Sequence, residues 1–241
     1  MKIAVINIDW FKKPKVLKQV IIDEVNKLDL DFLIVNENIE SFNFNLNYNQ
    51  YHSEAIPIIA EFQHLNYGVY LKGETPVRTS IFSKYKSIKR ITTQDKYTSI
   101  CHQFLIDEIE FAIYGTIIGT WGIKYQKDIG QLELSNFKTD AENILKENPN
   151  LFIVGDFNTS FIEKELRQLS TINTRLELLN FTNQLKIHRA TEKIENCIDH
   201  IFISENMYQK TNFNTSSFLD NDILKDNPHK GVLVEINFKR L

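Results

Sequence analysis

A chain of 241 residues with 42% hydrophobic and 24% charged content is long enough to close one substantial core, and with 8 glycines and 5 prolines it has no stretch that reads as a linker. The formal charge of −3 excludes a generally basic nucleic-acid binder, so any grip on phosphate must come from a local patch of Lys and Arg. Cys101 and Cys197 are too far apart in sequence for a disulfide framework or a zinc site, and free thiols in a reducing cytoplasm are expected. Residues 1–9 turn polar too early for a secretory segment, and no apolar run has the length of a membrane span.

Residues 2–8 are β-branched and alternating, which predicts a strand. Pro14 suits a first helical turn, and Val16, Leu17, Val20, Ile21, Val25 and Leu28 then recur at helical spacing. Residues 32–35 form a second apolar strand that ends in Asn36-Glu37-Asn38. This strand–helix–strand unit is expected to be parallel, so both strands finish at one edge and bring Asn7 and Asp9 towards Glu37. Strands follow at 67–71, 79–82, 99–105 and 110–118, the last two joined by Ile106-Asp107-Glu108; strands without intervening helices imply antiparallel hairpins. Leu134, Phe137, Ala141, Ile144 and Leu145 mark an amphipathic helix closed by Asn148-Pro149-Asn150. A buried strand at 151–154 runs into Gly155-Asp156-Phe157-Asn158, where the glycine is read as a sharp turn. Helical pieces at 163–169 and 175–180 and strands at 198–203 and 231–238 complete the chain. Strand pairs mixed with helices make an α/β protein whose sheets are covered by helices.

Polar groups gather where these strands begin or end: Asn7 and Asp9, Glu37, Asp156 and Asn158, Asp199 and His200, and His229 before the last strand. Carboxylate and amide oxygens are hard donors suited to Mg²⁺ or Mn²⁺, and no thiolate or multi-histidine set argues for zinc. A histidine near a carboxylate can act as acid, base or cation. Together these are parts for hydrolysing a phosphoester. The residue types alone leave other readings open: Asn7 could hold a loop, and Asn158 could cap the helical stretch after it.

In order and local wording the clusters resemble the endonuclease/exonuclease/phosphatase superfamily, over nearly the whole chain. Val5-Ile6-Asn7-Ile8-Asp9 is similar to the family's first strand, Val35-Asn36-Glu37 to its second and Ser80-Ile81-Phe82-Ser83-Lys84 to its third motif. Gly155-Asp156-Phe157-Asn158 matches the fourth motif, Ile198-Asp199-His200-Ile201-Phe202 resembles the fifth, and His229 stands where the catalytic histidine belongs. The resemblance implies a single domain over 1–241 with a four-layer α/β sandwich, two packed mixed β-sheets flanked by helices. It also implies that Glu37 ligates Mg²⁺ or Mn²⁺, with Asn7 and Asp9 shaping that site. Asp156 would position or deprotonate the attacking water, Asn158 and Asn7 would contact substrate, and Asp199 would orient and charge His229.

Two positions depart from the family pattern. Pro228 replaces the aspartate usual before the final histidine, with Asp226 nearby as a substitute, and Ile117 stands where a second histidine belongs, with Tyr114 as a substitute. The expected activity is that of a metal-dependent nuclease, because Lys84, Lys86, Lys89 and Arg90 follow the third motif and Lys12, Lys13, Lys15 and Lys18 make a second basic cluster. Taken separately, each cluster reads more readily as a solvated face. A phosphatase or phosphodiesterase of a small metabolite or lipid headgroup is the alternative, and a non-catalytic binding module the other. Trp121 and Tyr125 could stack on a base or pack a loop. His200, His52, His64, His102 and His188 are read as structural, and the oligomeric state is left open.

Overall fold

Alternation along the strands builds the molecule. The computed structural model describes residues 1–10, 15–44, 47–56, 74–119, 127–162, 172–219 and 229–239. In β1 (Lys2–Asn7), Ile3 and Val5 face one way into a central core while Ala4 and Ile6 face the other. The same two-residue period divides β2 (Phe32–Ile39) and, later in the chain, β8 (Leu151–Asp156), so each strand supplies two cores at once. The helix between β1 and β2, α1 (Lys15–Lys27), buries Ile21 and Val25 against the outward side chains of those strands.

The remaining elements, in order, are β3 (Asn49–His52), β4 (Pro76–Ser83), β5 (Lys89–Ile91), β6 (Ile100–Ile106), β7 (Ile109–Ile117), α2 (Lys127–Glu147), β8, α3 (Ile172–Gln184), β9 (Ile187–Arg189), β10 (Asp199–Ser204), α4 (Glu205–Lys210), β11 (Thr211–Phe218) and β12 (Gly231–Phe238). Among the described residues they form two six-stranded sheets, ordered β11-β12-β1-β2-β4-β3 and β5-β6-β7-β8-β10-β9. Both are mixed: β1 and β2 are parallel, as are β7 and β8, and their other neighbours are antiparallel. The sheets pack face to face through Ile3, Val5, Phe32 and Ile34 on one side and Phe111, Ile113, Phe152 and Val154 on the other. Leu134, Phe137 and Ile144 of α2 and Leu178 and Phe181 of α3 cover the outer face of the second sheet. The result is the expected four-layer α/β sandwich.

The hairpin between β6 and β7 turns on Asp107 and Glu108, whose φ values of 47° and 66° are those of a type I′ turn. Gly155 corrects the sequence reading. It lies inside β8, paired with Thr116 and His200, and makes no turn. Its lack of a side chain is required by a close approach, since a Cβ there would sit 1.8 Å from the Thr116 carbonyl oxygen. The chain turns later, at Asn158, with φ 49°. Four short or polar strands, β3, β5, β9 and β11, and the helix α4 were not expected. The expected strand at 67–71, the helical piece at 163–169 and Pro14 lie outside the described residues. No helix among the described residues is long and apolar enough to cross a membrane, and Cys101 and Cys197 are free, buried thiols.

Candidate active site

Strand direction brings the polar groups to one edge. β1, β2 and β8 end there, while β10 and β12 begin there because each runs antiparallel to its neighbour in that set. Side-chain parity then carries Asn7, Asn36, Asp156 and Asp199 to the seam between the sheets, since each is an even number of residues from inward-facing apolar neighbours.

Asp156, 1% exposed, is the hub. Its Oδ2 accepts a 2.9 Å bond from Asn7 Nδ2, its Oδ1 accepts a 2.8 Å bond from the Asn158 N–H, and its own N–H donates to Asn36 Oδ1 at 3.1 Å. Asn7 and Asn36 both belong to the opposite sheet, so Asp156 is gripped across the seam. Asn36 also donates to Thr79 Oγ1 and the Thr116 carbonyl. His229 Nδ1 lies 3.0 Å from Asp199 Oδ2 and 3.8 Å from Asp156 Oδ2. Asp156, Asp199 and His229 form the tight carboxylate–histidine group among the described residues, with one candidate ligand atom from each lying within 4.8 Å of the others.

Burial and charge tune this group. Burial pushes the Asp156 carboxyl up to about 7; His229, Asn7 and Asn158 oppose that push, while Asp199 adds to it. Burial also works against a charged His229, but Asp199, Asp156 and Glu37 outweigh it and hold the imidazole at about 9. The pair therefore favours a cationic histidine beside a carboxyl poised near neutrality.

Glu37 and Asp9 sit on adjoining backbone: the Ile8 N–H donates to the Asn36 carbonyl and the Trp10 N–H to the Glu37 carbonyl, both at 3.1 Å. Three site residues hold left-handed backbone, Asp9 (φ 38°), Glu37 (φ 54°) and Asn158 (φ 49°). Such strain costs of order 1 kcal/mol or more per residue and collects at functional sites. Glu37 Oε1 accepts from Arg78 Nη2 at 3.3 Å, and the Glu37 side chain keeps 12% of its surface. Asn7 Oδ1 accepts from the Asp9 N–H at 2.8 Å, so this amide clamps Asp9 and Asp156 together. As a donor set, Glu37, Asp9 and Asn7 offer oxygen only, which fits a hard divalent cation.

Sequence reasoning missed Asn36 and Arg78. Both carry a legible sign, a polar side chain in an otherwise buried strand: Asn36 after Phe32–Val35 and Arg78 as the charge in β4. The sequence substitutes fare differently. Ile117 is buried and in register with Asp156, so an apolar group stands where the second histidine was expected. Tyr114 faces the opposite core, its hydroxyl 3.1 Å from both Ser99 Oγ and Asp140 Oδ2, and cannot substitute. Pro228, Asp226, Trp121 and Tyr125 lie outside the described residues. His200 is structural: burial holds it down at about 3, with its nitrogens on Thr191 Oγ1 and the Thr159 carbonyl.

The basic cluster that follows the third motif is not at this edge. β4 runs antiparallel to β2, which carries Lys84 to the far end, where its Nζ is 2.6 Å from Asp29 Oδ1. Lys89 aligns through Gln103 and Ala112 with Leu151, the far end of β8. Lys18 lies over the Trp10 ring at 3.8 Å, Lys15 is exposed, and Lys12 and Lys13 are outside the described residues.

No protein-family model and no curated protein sequence matches the chain. Solved structures do. A 3′ phosphatase from Neisseria (NExo) bound to product DNA hairpin has 11% identity and a TM-score of 0.71, covering 99% of this chain and 100% of its own. An AP endonuclease from Archaeoglobus fulgidus has 13% identity and a TM-score of 0.65 over 98% and 99% of the two chains. The catalytic domain of human nocturnin, with a bound sulfate anion, has 15% identity and a TM-score of 0.65 over 99% and 94%. At such identities the likeness is one of fold, the deoxyribonuclease I-like sandwich that these structures share with this chain.

Proposed function

We propose that this protein is a divalent-metal-dependent phosphoesterase acting on nucleic-acid phosphodiesters. The observation that carries the reading is the convergence of Asp156, Asp199 and His229 at one strand edge, with His229 bonded to Asp199 and 3.8 Å from Asp156. The nucleic-acid assignment is supported by the fold neighbours, one described as bound to product DNA hairpin and another as an AP endonuclease.

Asp156 takes the proton of the attacking water. Its carboxyl is poised near neutrality, and Asn7 and Asn158 fix its orientation. His229, charged and oriented by Asp199, meets the negative charge that develops on the phosphoryl oxygens. The Asn158 amide spends one N–H on the Ile118 carbonyl at 2.8 Å, and its second would donate to a phosphate oxygen. Glu37, with Asp9 and Asn7 beside it, would hold Mg²⁺ or Mn²⁺, which supplies Lewis-acid neutralisation of phosphate charge. Ile117 offers no proton, so the leaving group must be protonated from elsewhere.

One observation favours a second reading, a phosphatase or phosphodiesterase of a small phosphorylated metabolite: the basic cluster that follows the third motif, expected to grip a polymer, lies at the far end of the strands. The test is hydrolysis of supercoiled plasmid and of bis(p-nitrophenyl) phosphate with Mg²⁺ or Mn²⁺ against EDTA. Metal-dependent plasmid cleavage that falls about 100-fold or more in His229→Ala is expected. Turnover of the small ester alone selects the metabolite enzyme. Metal binding with no turnover of either refutes the nuclease and leaves an untested small substrate or a dead site.

A further inference from the structure

Arg78 is 1% exposed within β4, a strand that is buried from end to end. A guanidinium stays charged at any pH a protein meets, and burying one without a counter-charge is strongly unfavourable. Glu37 supplies one. Asn36 pairs with Thr79 and Asn38 with Val77, so Glu37 stands opposite Arg78 across the β2–β4 ladder, and Oε1 reaches Nη2 at 3.3 Å. The left-handed backbone of Glu37 is part of how the carboxylate is presented.

Glu37 thus has two claimants: a cation built into the protein, and the divalent ion that the proposed function assigns to it. We propose that Arg78 is the site's internal counter-ion, which neutralises Glu37 in the metal-free protein and sets its affinity for the divalent ion. The proposal rests on the reading that Glu37 is a metal ligand. Two consequences follow from charge alone. Without metal, Asp9, Glu37, Asp156 and Asp199 would gather four carboxyls at one edge against His229, and Arg78 lowers that repulsion, so the fold forms without the ion. With metal, the ion must share or displace the guanidinium, so it binds more weakly than the oxygen donors alone would allow.

The test is isothermal titration with Mn²⁺ alone on the wild type, Arg78→Met, Arg78→Lys and Glu37→Gln, each checked by circular dichroism. Removing the internal cation in Arg78→Met should tighten Mn²⁺ binding about 10-fold or more while lowering the metal-free melting temperature. Arg78→Lys, which keeps the charge, should stay within about threefold of wild type. Mn²⁺ bound no tighter by Arg78→Met than by wild type, in a protein where Glu37→Gln weakens it, overturns the counter-ion role alone. Affinity unchanged by Glu37→Gln overturns the metal assignment and the proposal with it, as does an absence of binding throughout. Should Arg78→Met fail to fold, the wild type decides: the Arg78 Nε–Hε resonance must shift saturably as Mg²⁺ is added, and a resonance that stays put refutes the competition.

Discussion

In the proposed reading Asp199 acts on the chemistry only through His229, and its contribution can be read from a pH profile. Asp156 must be deprotonated to take a proton and His229 must stay protonated to neutralise phosphate, so kcat/KM should rise through about 7 and fall through about 9. Asp199→Asn removes a charge and an ionic hydrogen bond from Nδ1. The basic limb should then move down towards the ordinary histidine value near 6.5. A basic limb that stays near 9 would mean that Asp199 does not charge the imidazole. Stability carries the same sign. Both groups have folded pKa values raised above their unfolded ones. His229 therefore contributes stability that is full below about 6.5 and is lost as pH rises through about 9, and Asp156 loses its share between about 3.8 and about 7. The protein should melt at lower temperature on the alkaline side, and Asp199→Asn should flatten that loss between pH about 7 and about 9.

Among the elements, β8 is the most constrained, because it is flanked by β7 and β10 and carries the hub of the site at its end. Gly155→Ala would drive a Cβ to 1.8 Å from the Thr116 carbonyl oxygen, a backbone atom that no rotamer change can move. The cost should be at least about 3 kcal/mol, measured as a shift in the urea midpoint, with β7 and β8 forced apart just where Asp156 is held. A loss below about 1 kcal/mol would mean that the two strands separate freely at this point. The strand itself was legible as an apolar run, yet its glycine was assigned to a turn, because a sequence shows a missing side chain without showing which backbone fills the space. β11 was illegible for a related reason. Its run Thr211–Phe218 is mostly Asn, Ser and Thr, and it is a strand because β12 pairs with it along its whole length. By contrast β1, β2, β7, β8, β10 and β12 are apolar, and composition announces them.

At the scale of the molecule, two asparagines from one sheet, Asn7 and Asn36, reach the other through Asp156, so the joint between the sheets and the candidate catalytic centre are the same group of atoms. The sequence disclosed the acids of this joint, because residue order and strand ends point to them. It did not disclose Asn36 as a brace or Arg78 as a counter-ion, since both depend on which strands become neighbours. Nor could it disclose that Lys84 is carried away from the site, which follows from the antiparallel run of β4. We propose that residues 1–241 unfold as one unit, because the central core takes side chains from both sheets and neither could bury its inner face alone. Asn36→Ala tests the joint directly. It leaves the Thr116 carbonyl without the donor, and the Asp156 N–H without the acceptor, that Asn36 supplies in a buried seam, for a cost of about 2–4 kcal/mol. Asn7→Ala loses two bonds, one to Asp156 and one from the Asp9 N–H, against three for Asn36, and should cost less. Far-UV circular dichroism and tryptophan fluorescence should give coincident urea transitions in the wild type and in both variants. If Asn36→Ala cost under about 1 kcal/mol, the apolar core alone would hold the sheets together, and Asn36 would serve only to aim Asp156. The variant would then keep its stability and lose activity, which separates the two roles of the residue in a single pair of measurements.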